Sequence, residues 1–211
     1  MTQKKIPYVA INRLSIYYRC LERISEVKNL GDFEVISSSE MAEITGINSA
    51  QIRKDLAYFG EFGKRGVGYS LKNLSKELKN ILGLDKKWPI IIVGAGNLGQ
   101  ALINYKGLEK RGFVIEGIFD NSSIKIGKKL RQITIQDVKE IENFIKKKNI
   151  KIAVLTVPAT SAQEVADRMV KGGIKAILNF APTRIILSPE VKIHNVDLSI
   201  EFEGLTYYLS L

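Results

Sequence analysis

Residues 88–99 constrain the fold of this chain more than any other stretch. An apolar run, Ile90 to Val93, leads into glycines at positions 94, 96 and 99 and then into apolar residues at helical spacing, Leu98, Ala101, Leu102 and Tyr105. This order predicts a strand, a tight turn and a helix. In such a unit the first glycine permits the turn, the second lets a pyrophosphate reach the backbone, and the third lets helix pack on strand. The N–H groups of the turn and the helix dipole then face an anion.

An acidic residue after the next strand strengthens this interpretation, since a glycine pattern alone is weak evidence. The predicted strand from Phe113 to Phe119 ends in Asp120, 21 residues beyond Gly99. An acid at this distance accepts both ribose hydroxyls of NAD and repels the extra phosphate of NADP. The alternative is an aspartate that caps a local loop. The predicted cofactor-binding residues here are Gly94, Ala95, Gly96, Asn97, Leu98, Gly99 and Asp120.

Strands and helices are predicted to alternate through the rest of this half of the chain. We expect strands over 131–135, 151–157, 176–180 and about 191–196, with helices over 137–148 and 162–171. This alternation is typical of a parallel sheet covered by helices, an α/β fold. Its ligand crevice lies at the carboxyl ends of the strands. The residues predicted there are Val157, Pro158, Asn179, Phe180, Ala181 and Pro182.

Three helices are predicted before residue 60. The first runs from Ile6 to about Val27 and stops near Gly31, with Leu14, Tyr17, Tyr18, Leu21 and Ile24 on its apolar face. Ser37 and Glu40 have the spacing of a capping box for a second, short helix that carries Met41 and Ile44 and ends at Gly46. Asn48 and Ser49 can cap a third helix that reaches about Phe59. Helix, glycine turn and helix in so few residues indicate a helix-turn-helix.

The third helix has two unlike faces. At about 100° per residue, Ile52, Leu56 and Phe59 share one face, which we expect to dock inward. The other face carries Ala50, Arg53, Lys54, Ala57 and Tyr58. The small alanines let the helix approach a surface closely, and the cations and the tyrosine reach phosphates or base edges. The alternative is an ordinary solvated helix face.

A short basic hairpin follows this helix. Residues 60–69 hold four glycines and the adjacent cations Lys64 and Arg65, and an apolar helix with Leu71, Leu74, Leu78, Ile81 and Leu82 comes next. This arrangement is typical of the wing of a winged helix, which can place a cation along or in a minor groove. A plain surface hairpin would not need the cations. The segment 83–87 is the predicted joint between two domains.

Composition narrows the class of protein. The 211 residues are 45% hydrophobic and 26% charged, with 32 Lys and Arg against 22 Asp and Glu, a formal charge of +10. These values are typical of a soluble globular protein and favour a polyanionic partner. No apolar run approaches a membrane span, and residues 1–7 do not resemble a signal peptide, so we expect a cytoplasmic protein. Cys20 is the only cysteine, which excludes disulfides and cysteine zinc sites, and we expect it to be a buried structural thiol.

The predicted last helix bears more apolar residues than a solvent-facing helix needs, among them Phe202, Leu205, Tyr208 and Leu209. Such a surface favours packing on a second subunit, which would give a dimer. Packing on its own domain is the alternative.

Four segments together resemble the Rex family of redox-sensing transcriptional repressors. They are residues 49–60, the wing 63–69, the glycine loop 94–99, and Asn179-Phe180-Ala181-Pro182, in the family's order over nearly the whole chain. The resemblance implies a winged-helix DNA-binding domain over 1–84, a Rossmann NAD(H)-binding domain over 88–198, and a dimerisation helix over 199–211 that is exchanged between subunits. It implies a homodimer that binds a palindromic operator when NADH is scarce and is released by NADH.

The resemblance also implies site residues and a switch. The residues implied to contact DNA are Ser49, Ala50, Gln51, Arg53, Lys54, Tyr58, Lys64, Arg65, Gly66 and Tyr69. A switch contact among Arg19, Tyr105 and Asp197 would link the DNA-binding domain, the cofactor domain and the partner's helix. For Asp197, capping of the last helix is the alternative.

Two other functions compete with this one. An NAD-dependent dehydrogenase needs a proton donor or base beside the nicotinamide. The sole histidine, His194, lies in a late predicted strand, where a structural role is favoured, while Tyr and Lys residues keep this option open. A structural oligomer that uses the nucleotide only for stability is the second alternative. We expect no enzyme activity and no metal.

Overall fold

The computed structural model describes residues 6–28, 34–64 and 66–210. The chain forms two compact units, residues 1–86 and 87–211. No helix in these described ranges is both long and apolar enough to cross a membrane. Arg65 and Gly31, on which two sequence predictions rest, lie outside the described residues.

The described residues of the first unit form four helices, α1 (Tyr8–Lys28), α2 (Ser38–Thr45), α3 (Ser49–Ala57) and α4 (Leu71–Ile81). The predicted capping box is present, because Ser37 Oγ accepts from the N–H of Glu40 and Glu40 Oε2 accepts from the N–H of Ser37. Gly46 then ends α2 in the left-handed conformation, and Asn48 caps α3. The helix-turn-helix is thus built as its local signals predict.

A small antiparallel sheet completes this unit. It contains β1 (Val35–Ile36), β2 (Gly63–Lys64) and β3 (Gly68–Ser70) in the order β1-β3-β2. The strands β2 and β3 form the predicted wing, whereas β1 was not predicted. The unit's core joins all four helices to this sheet through Leu14, Tyr17, Leu21, Ile36, Met41, Ile52, Leu56, Leu74 and Leu78.

The second unit is built on a seven-stranded sheet in the order β10-β9-β8-β4-β5-β7-β6. Its strands are β4 (Trp88–Val93), β5 (Phe113–Asp120), β6 (Lys129–Leu130), β7 (Ile133–Asp137), β8 (Ile152–Leu155), β9 (Ala176–Asn179) and β10 (Lys192–Asn195). All pairs are parallel except β6 with β7. The chain runs outward from β4 through β5 and then returns to β8 on the other side. This reversal beside β4 places the ligand crevice at its carboxyl end.

Helices cover both faces of the sheet. The covering helices are α5 (Asn97–Asn104), α6 (Lys106–Lys110), α7 (Ile141–Lys148) and α8 (Ala159–Gly172), and α9 (Leu198–Leu209) follows the last strand. Alternate residues of β4 point to opposite faces of the sheet and pack into different cores. Ile91 and Val93 belong to one buried cluster, and Ile90 and Ile92 belong to the other. The predicted α/β fold, a winged helix followed by a Rossmann-like sheet, is confirmed.

Several predicted bounds differ from the structure. The strand predicted over 131–135 corresponds to β7 and begins later, at Ile133, because Arg131 adopts a positive φ of 53° in the turn between β6 and β7. The helix predicted from Asp137 starts as a 3-10 turn, Val138–Glu140. On α5 the buried residues are Gly99 and Ile103, whereas Leu98 and Tyr105 are 37% and 61% exposed. Gly99 lies on the buried side of α5 because its missing side chain leaves room for the carbonyl oxygen of Gly94 in the preceding loop.

The terminal helix α9 exposes its apolar residues. Leu198, Ile200, Phe202, Leu205, Tyr207, Tyr208 and Leu209 are between 57% and 86% exposed. None of the helix's residues is buried. Packing of α9 on its own domain, the alternative raised by the sequence, does not occur in this chain.

Candidate functional site

The glycine loop between β4 and α5 has the geometry of a phosphate-binding turn. Gly94 has a φ of 102°, and a Cβ there would lie 2.6 Å from the carbonyl oxygen of Thr156. A Cβ on Gly99 would collide with the carbonyl oxygen of Gly94. A Cβ on Gly96, which caps α5, would meet nothing within 4 Å. Two glycines therefore permit close packing of the loop, and the third leaves open space in front of the helix N-terminus.

Thr156 fixes the first glycine from the neighbouring strand. Its hydroxyl donates to the carbonyl oxygens of Val93 and Gly94, at 3.0 and 2.8 Å. Thr156 is not among the residues predicted from the sequence. Its signal was available, because it directly follows β8 and precedes the predicted crevice residues Val157 and Pro158.

The carboxylate of Asp120 is bonded to the same loop. Oδ2 accepts from the N–H of Ala95 at 2.8 Å and from Lys125 Nζ at 3.0 Å, and Oδ1 accepts from the N–H of Ser122 at 2.9 Å. The side chain is only 7% exposed. Burial alone would raise its pKa, but the hydrogen bonds from Ser122, Ala95 and Lys125 hold the pKa below its usual value. Asp120 is therefore an ionised anchor for the loop.

This geometry adds a second role to the one predicted for Asp120. An ionised carboxylate offers about four acceptor positions, and three are occupied by groups of the protein in this structure. One position remains open, and ribose binding by Asp120 stays a prediction. The local capping raised as the alternative from the sequence is present in the structure.

A cavity of about 650 Å³ opens in front of this loop. It brings together the predicted residues Gly94, Gly96, Asp120, Val157 and Pro158. Residues that were not predicted also line it, and they are mostly polar: Asn121, Ser122, Lys125, Lys139, Thr156, Thr160, Ser161, Glu164 and Arg168. Among them Arg168 pairs with Glu164 at 3.2 Å, and Lys125 pairs with Asp120. The mixture of cations, hydroxyls and open backbone suits a phosphate-bearing nucleotide.

Other predicted cofactor residues lie outside the lining of this cavity. Ala95 is fully buried, and Asn97 and Leu98 are exposed on α5. Asn179 is 1% exposed; its Oδ1 accepts from the N–H of Ala181 at 2.9 Å, and its Nδ2 donates to Asn195 Oδ1 at 2.9 Å. Its role is to shape the turn after β9, which carries Phe180, Ala181 and Pro182.

In the first unit, α3 presents the two faces predicted for it. Ile52 and Leu56 are buried, while Ala50, Arg53, Lys54 and Ala57 are exposed. Tyr58 differs from the prediction because it ends the helix and is partly buried. Ser49 and Gln51 are also partly buried.

Two polar side chains of α3 already have protein partners. Arg53 donates from a guanidinium nitrogen to Ser38 Oγ at 2.7 Å, which holds it against the start of α2. Gln51 Nε2 donates to Asp55 Oδ1 at 2.7 Å. Gln51 therefore has a partner on its own helix, and its predicted contact with DNA stays a prediction.

A second cavity, of about 700 Å³, separates α3 from the wing. Arg53 and Ala57 line it from the helix, and Lys64, Gly66 and Tyr69 line it from the wing. Lys64 and Gly66 are exposed, and Tyr69 is partly buried. A helix and a basic hairpin on either side of one groove form a surface that suits a polyanion.

The predicted switch residues are accessible. Arg19 is exposed on α1, and Tyr105 is 61% exposed at the break between α5 and α6. Asp197 caps α9 by accepting from the N–H of Ser199 at 2.9 Å, and the hydroxyl and N–H of Ser199 lower its pKa. The capping alternative for Asp197 is therefore present.

Two further sequence expectations concern single residues. Cys20 is 6% exposed, and burial raises the pKa of its thiol. His194 lies on β10, away from the residues that line the two cavities described above. Among the described residues, no group of His, Cys, Asp and Glu could hold a metal ion.

Comparison with known proteins gives the same division of the chain. A family model described as a putative DNA-binding protein N-terminus matches residues 5–57, and one described as a CoA binding domain matches residues 85–183. A redox-sensing transcriptional repressor Rex of Pelotomaculum thermopropionicum is 49% identical, over 99% of this chain and 96% of that protein. A repressor of the same name from Desulforamulus reducens is 46% identical, over 100% of this chain and 99% of that protein.

Solved structures of one relative match both units. The crystal structure of RSP in complex with β-NAD+ and operator DNA has a TM-score of 0.90 and 42% identity, over 98% of this chain and 93% of that chain. RSP in complex with β-NADH has a TM-score of 0.85, over 98% of this chain and 95% of that chain.

Proposed function

Because the chain belongs to the Rex family of redox-sensing transcriptional repressors, we propose that it represses transcription by binding operator DNA and that NADH releases it. The observation that carries this is the presence of two suited sites in one chain. A glycine loop and Asp120 border the cavity of the second unit, and a helix and a basic hairpin border the groove of the first. One relative matched over 98% of this chain, RSP, has been solved with NADH and with NAD+ and operator DNA.

On the DNA side, we propose that Ala50 and Ala57 let α3 lie close to the DNA. The positive charges of Arg53, Lys54 and Lys64 would attract the DNA phosphates. Alanines in the middle of the exposed face let α3 enter a major groove without a steric barrier. Arg53 donates a hydrogen bond to Ser38 at the start of α2, and this position favours a phosphate contact over base readout. Lys64, exposed on the wing, is suited to the backbone of the adjacent groove.

On the cofactor side, the pyrophosphate is assigned to Gly96 and the N-terminus of α5. Asp120 fixes this loop and offers one further acceptor to a ribose hydroxyl, with Lys125 beside it. Oxidised nicotinamide carries a positive charge that the reduced ring lacks. An apolar environment for that ring would favour NADH, because the desolvation of the charge is costly.

The exposed face of α9 supports a homodimer. Seven large apolar side chains on one short helix exceed what a monomer's surface usually carries. We propose that α9 packs on a second copy of the chain and is exchanged between subunits. A symmetric dimer presents two recognition helices, which a palindromic operator matches. In this assembly Asp197, at the start of α9, would meet Arg19 and Tyr105.

We infer that the chain is a regulator and not an enzyme. Of the groups in the cofactor cavity that could transfer a proton, Lys125 is paired with Asp120 and Glu164 with Arg168. Lys139 also lines the cavity. The histidine lies elsewhere, on the edge strand β10. Hydride transfer to a carbonyl substrate would contradict this inference.

Fluorescence anisotropy of a labelled operator duplex tests the function directly. The operator duplex bound by RSP serves as the probe, titrated with the protein and then with NADH or NAD+ at fixed salt. We expect release by NADH at concentrations where NAD+ has little effect. By linkage, the operator must weaken NADH binding by the same factor. Tight binding that neither nucleotide changes would refute cofactor sensing, and the absence of operator binding would favour a structural oligomer.

A further inference from the structure

A buried ionic cluster joins the first helix to the recognition helix. Asp55 is fully buried on the inward face of α3. Its Oδ2 accepts from Arg13 Nε at 2.5 Å and from the hydroxyl of Tyr17 at 2.7 Å. Its Oδ1 accepts from a second guanidinium nitrogen of Arg13 at 2.8 Å and from Gln51 Nε2 at 2.7 Å. Both partners from outside α3 belong to α1.

The cluster is ionised and geometrically specific. Burial favours the neutral acid, but hydrogen bonds from Arg13, Tyr17 and Gln51 lower the pKa of Asp55. Burial and the bond to Asp55 raise the pKa of Tyr17, so its hydroxyl remains a donor. The planar guanidinium bonds both carboxylate oxygens, and such a fork restricts direction as well as distance. Apolar contacts between α1 and α3 lack this directional restriction.

The restriction matters because α3 reads its ligand from the opposite face. Arg53 and Lys54 directly precede Asp55, so a rotation of α3 about its axis that moves Asp55 also moves these two cations. At a side-chain radius of about 5–6 Å, a rotation of about 20° displaces a side chain by about 2 Å. Hydrogen bonds to bases or phosphates do not survive a displacement of this size. Gln51, four residues before Asp55 on the same helix, donates to the carboxylate and holds its orientation on α3.

The same helix α1 carries Arg19, the residue proposed to receive the cofactor signal. Arg19 lies six residues after Arg13, about 9 Å along the helix axis. Any displacement of α1 at Arg19 is passed to α3 at Asp55, because two side chains of α1 bond that carboxylate. A recognition helix held only by apolar contacts could adjust on DNA independently of α1.

We propose that Arg13, Tyr17 and Asp55 are positioning residues that couple the recognition helix to α1 and so transmit the cofactor signal to the operator. This inference rests on the proposed function and names the element of the first unit through which regulation passes. It predicts that weakening the cluster reduces both operator selectivity and the effect of NADH. Non-operator DNA, which is bound mainly through phosphates, is affected less.

Two variants weaken the cluster without removing its bulk. Tyr17→Phe deletes one hydrogen bond and keeps the buried ring, and Arg13→Lys keeps the charge and loses the fork. Arg23→Lys, at an exposed position of the same helix, is the matched control. The full-length proteins are titrated with operator and with a scrambled duplex of equal length, each with and without NADH. NADH binding is also measured without DNA.

We expect Tyr17→Phe to weaken operator binding by about tenfold, in line with a lost bond to a charged group, and scrambled-duplex binding by less than about twofold. The factor by which NADH weakens operator binding should fall at least about threefold. NADH affinity without DNA and the Arg23→Lys protein should stay within about twofold of the wild type.

Equal losses of affinity for the operator and the scrambled duplex would mean that the cluster has only a structural role, and this would overturn the proposal. The proposal would also be overturned if the variants kept the wild-type preference for operator and the wild-type effect of NADH. If Tyr17→Phe does not fold, as judged by circular dichroism, Arg13→Lys carries the test alone, because Arg13 is 23% exposed. A wild-type protein that ignores the operator or NADH refutes the proposed function instead, so the two failures are distinct.

Discussion

Asp120→Asn is the perturbation that most directly tests how the cofactor loop is held. The wild-type carboxylate accepts from the N–H of Ala95, the N–H of Ser122 and Lys125 Nζ. Asparagine has one acceptor oxygen, and its amide nitrogen only donates. In the variant, one of the two backbone N–H groups must therefore face a donor, although the side chain is nearly the same size.

The magnitude follows from the lost bonds. A hydrogen bond to a charged group contributes about 1.5–3 kcal/mol, and the acceptor in this site is 7% exposed, so water replaces it poorly. If this energy is lost from the conformation that binds the cofactor, the Kd for NADH rises by about ten- to hundredfold, at about 1.4 kcal/mol per factor of ten. The pairing with Lys125 is lost as well and acts in the same direction.

The assay is titration of NADH fluorescence, with operator affinity in the absence of cofactor as a check of the DNA-binding unit. Asp137→Asn is the matched control, since Asp137 is the register partner of Asp120 on β7 and accepts only a local bond from the N–H of Lys139. Asparagine caps a helix as well as aspartate does, so we expect the NADH Kd of Asp137→Asn to stay within about twofold of the wild-type value. A Kd for Asp120→Asn within about twofold of the wild type would refute the anchoring role.

Three further outcomes are expected. Thr156→Val removes the hydroxyl that holds Val93 and Gly94 and should raise the NADH Kd about fivefold, whereas Thr156→Ser keeps the donor and should change it less than about twofold; equal effects would contradict this. Phe202→Lys on the exposed α9 should raise the dimer dissociation constant at least about tenfold in sedimentation, and an unchanged mass would exclude this interface. The pKa of Asp55 is lowered in the folded protein, so the ionised carboxylate adds to the free energy of unfolding. This contribution is complete above about pH 4 and is lost as the pH falls through the lowered pKa. Thermal unfolding of Asp55→Asn should lack this acid-dependent loss.

Local signals in the sequence were sufficient for much of the fold. The capping box at Ser37, the left-handed Gly46 and the turn at Gly94 each depend on a few adjacent residues, and each lies where it was predicted. The strand Val35–Ile36 was missed because two residues carry no periodicity. It exists through pairing with β3, which lies more than thirty residues later.

Partners of polar side chains were the part that the sequence could not provide. Asp120 was located correctly, but its bond to Ala95 spans 25 residues and depends on how β4 and β5 pair. Asp55 lies within a basic recognition segment, and nothing near it in the chain indicates Arg13, which lies 42 residues earlier. Asn179 donates from Nδ2 to Asn195 Oδ1, 16 residues later, and that partner also depends on the pairing of two strands. In each case the tertiary structure chose the partner.

The two units solve one physical problem in the same way. An element that meets a ligand closely presents small residues on its ligand side, Ala50 and Ala57 on α3 or Gly94 and Gly96 in the loop, so contacts on its other side must set its position. In both units a buried carboxylate, Asp55 or Asp120, adds directional hydrogen bonds to those contacts. A carboxylate with several donors fixes position at a desolvation cost that an apolar contact would avoid. A sensor can transmit cofactor binding to DNA only if the elements that bind the two ligands cannot relax independently. Directional hydrogen bonds that fix those elements are therefore worth their desolvation cost in such a protein.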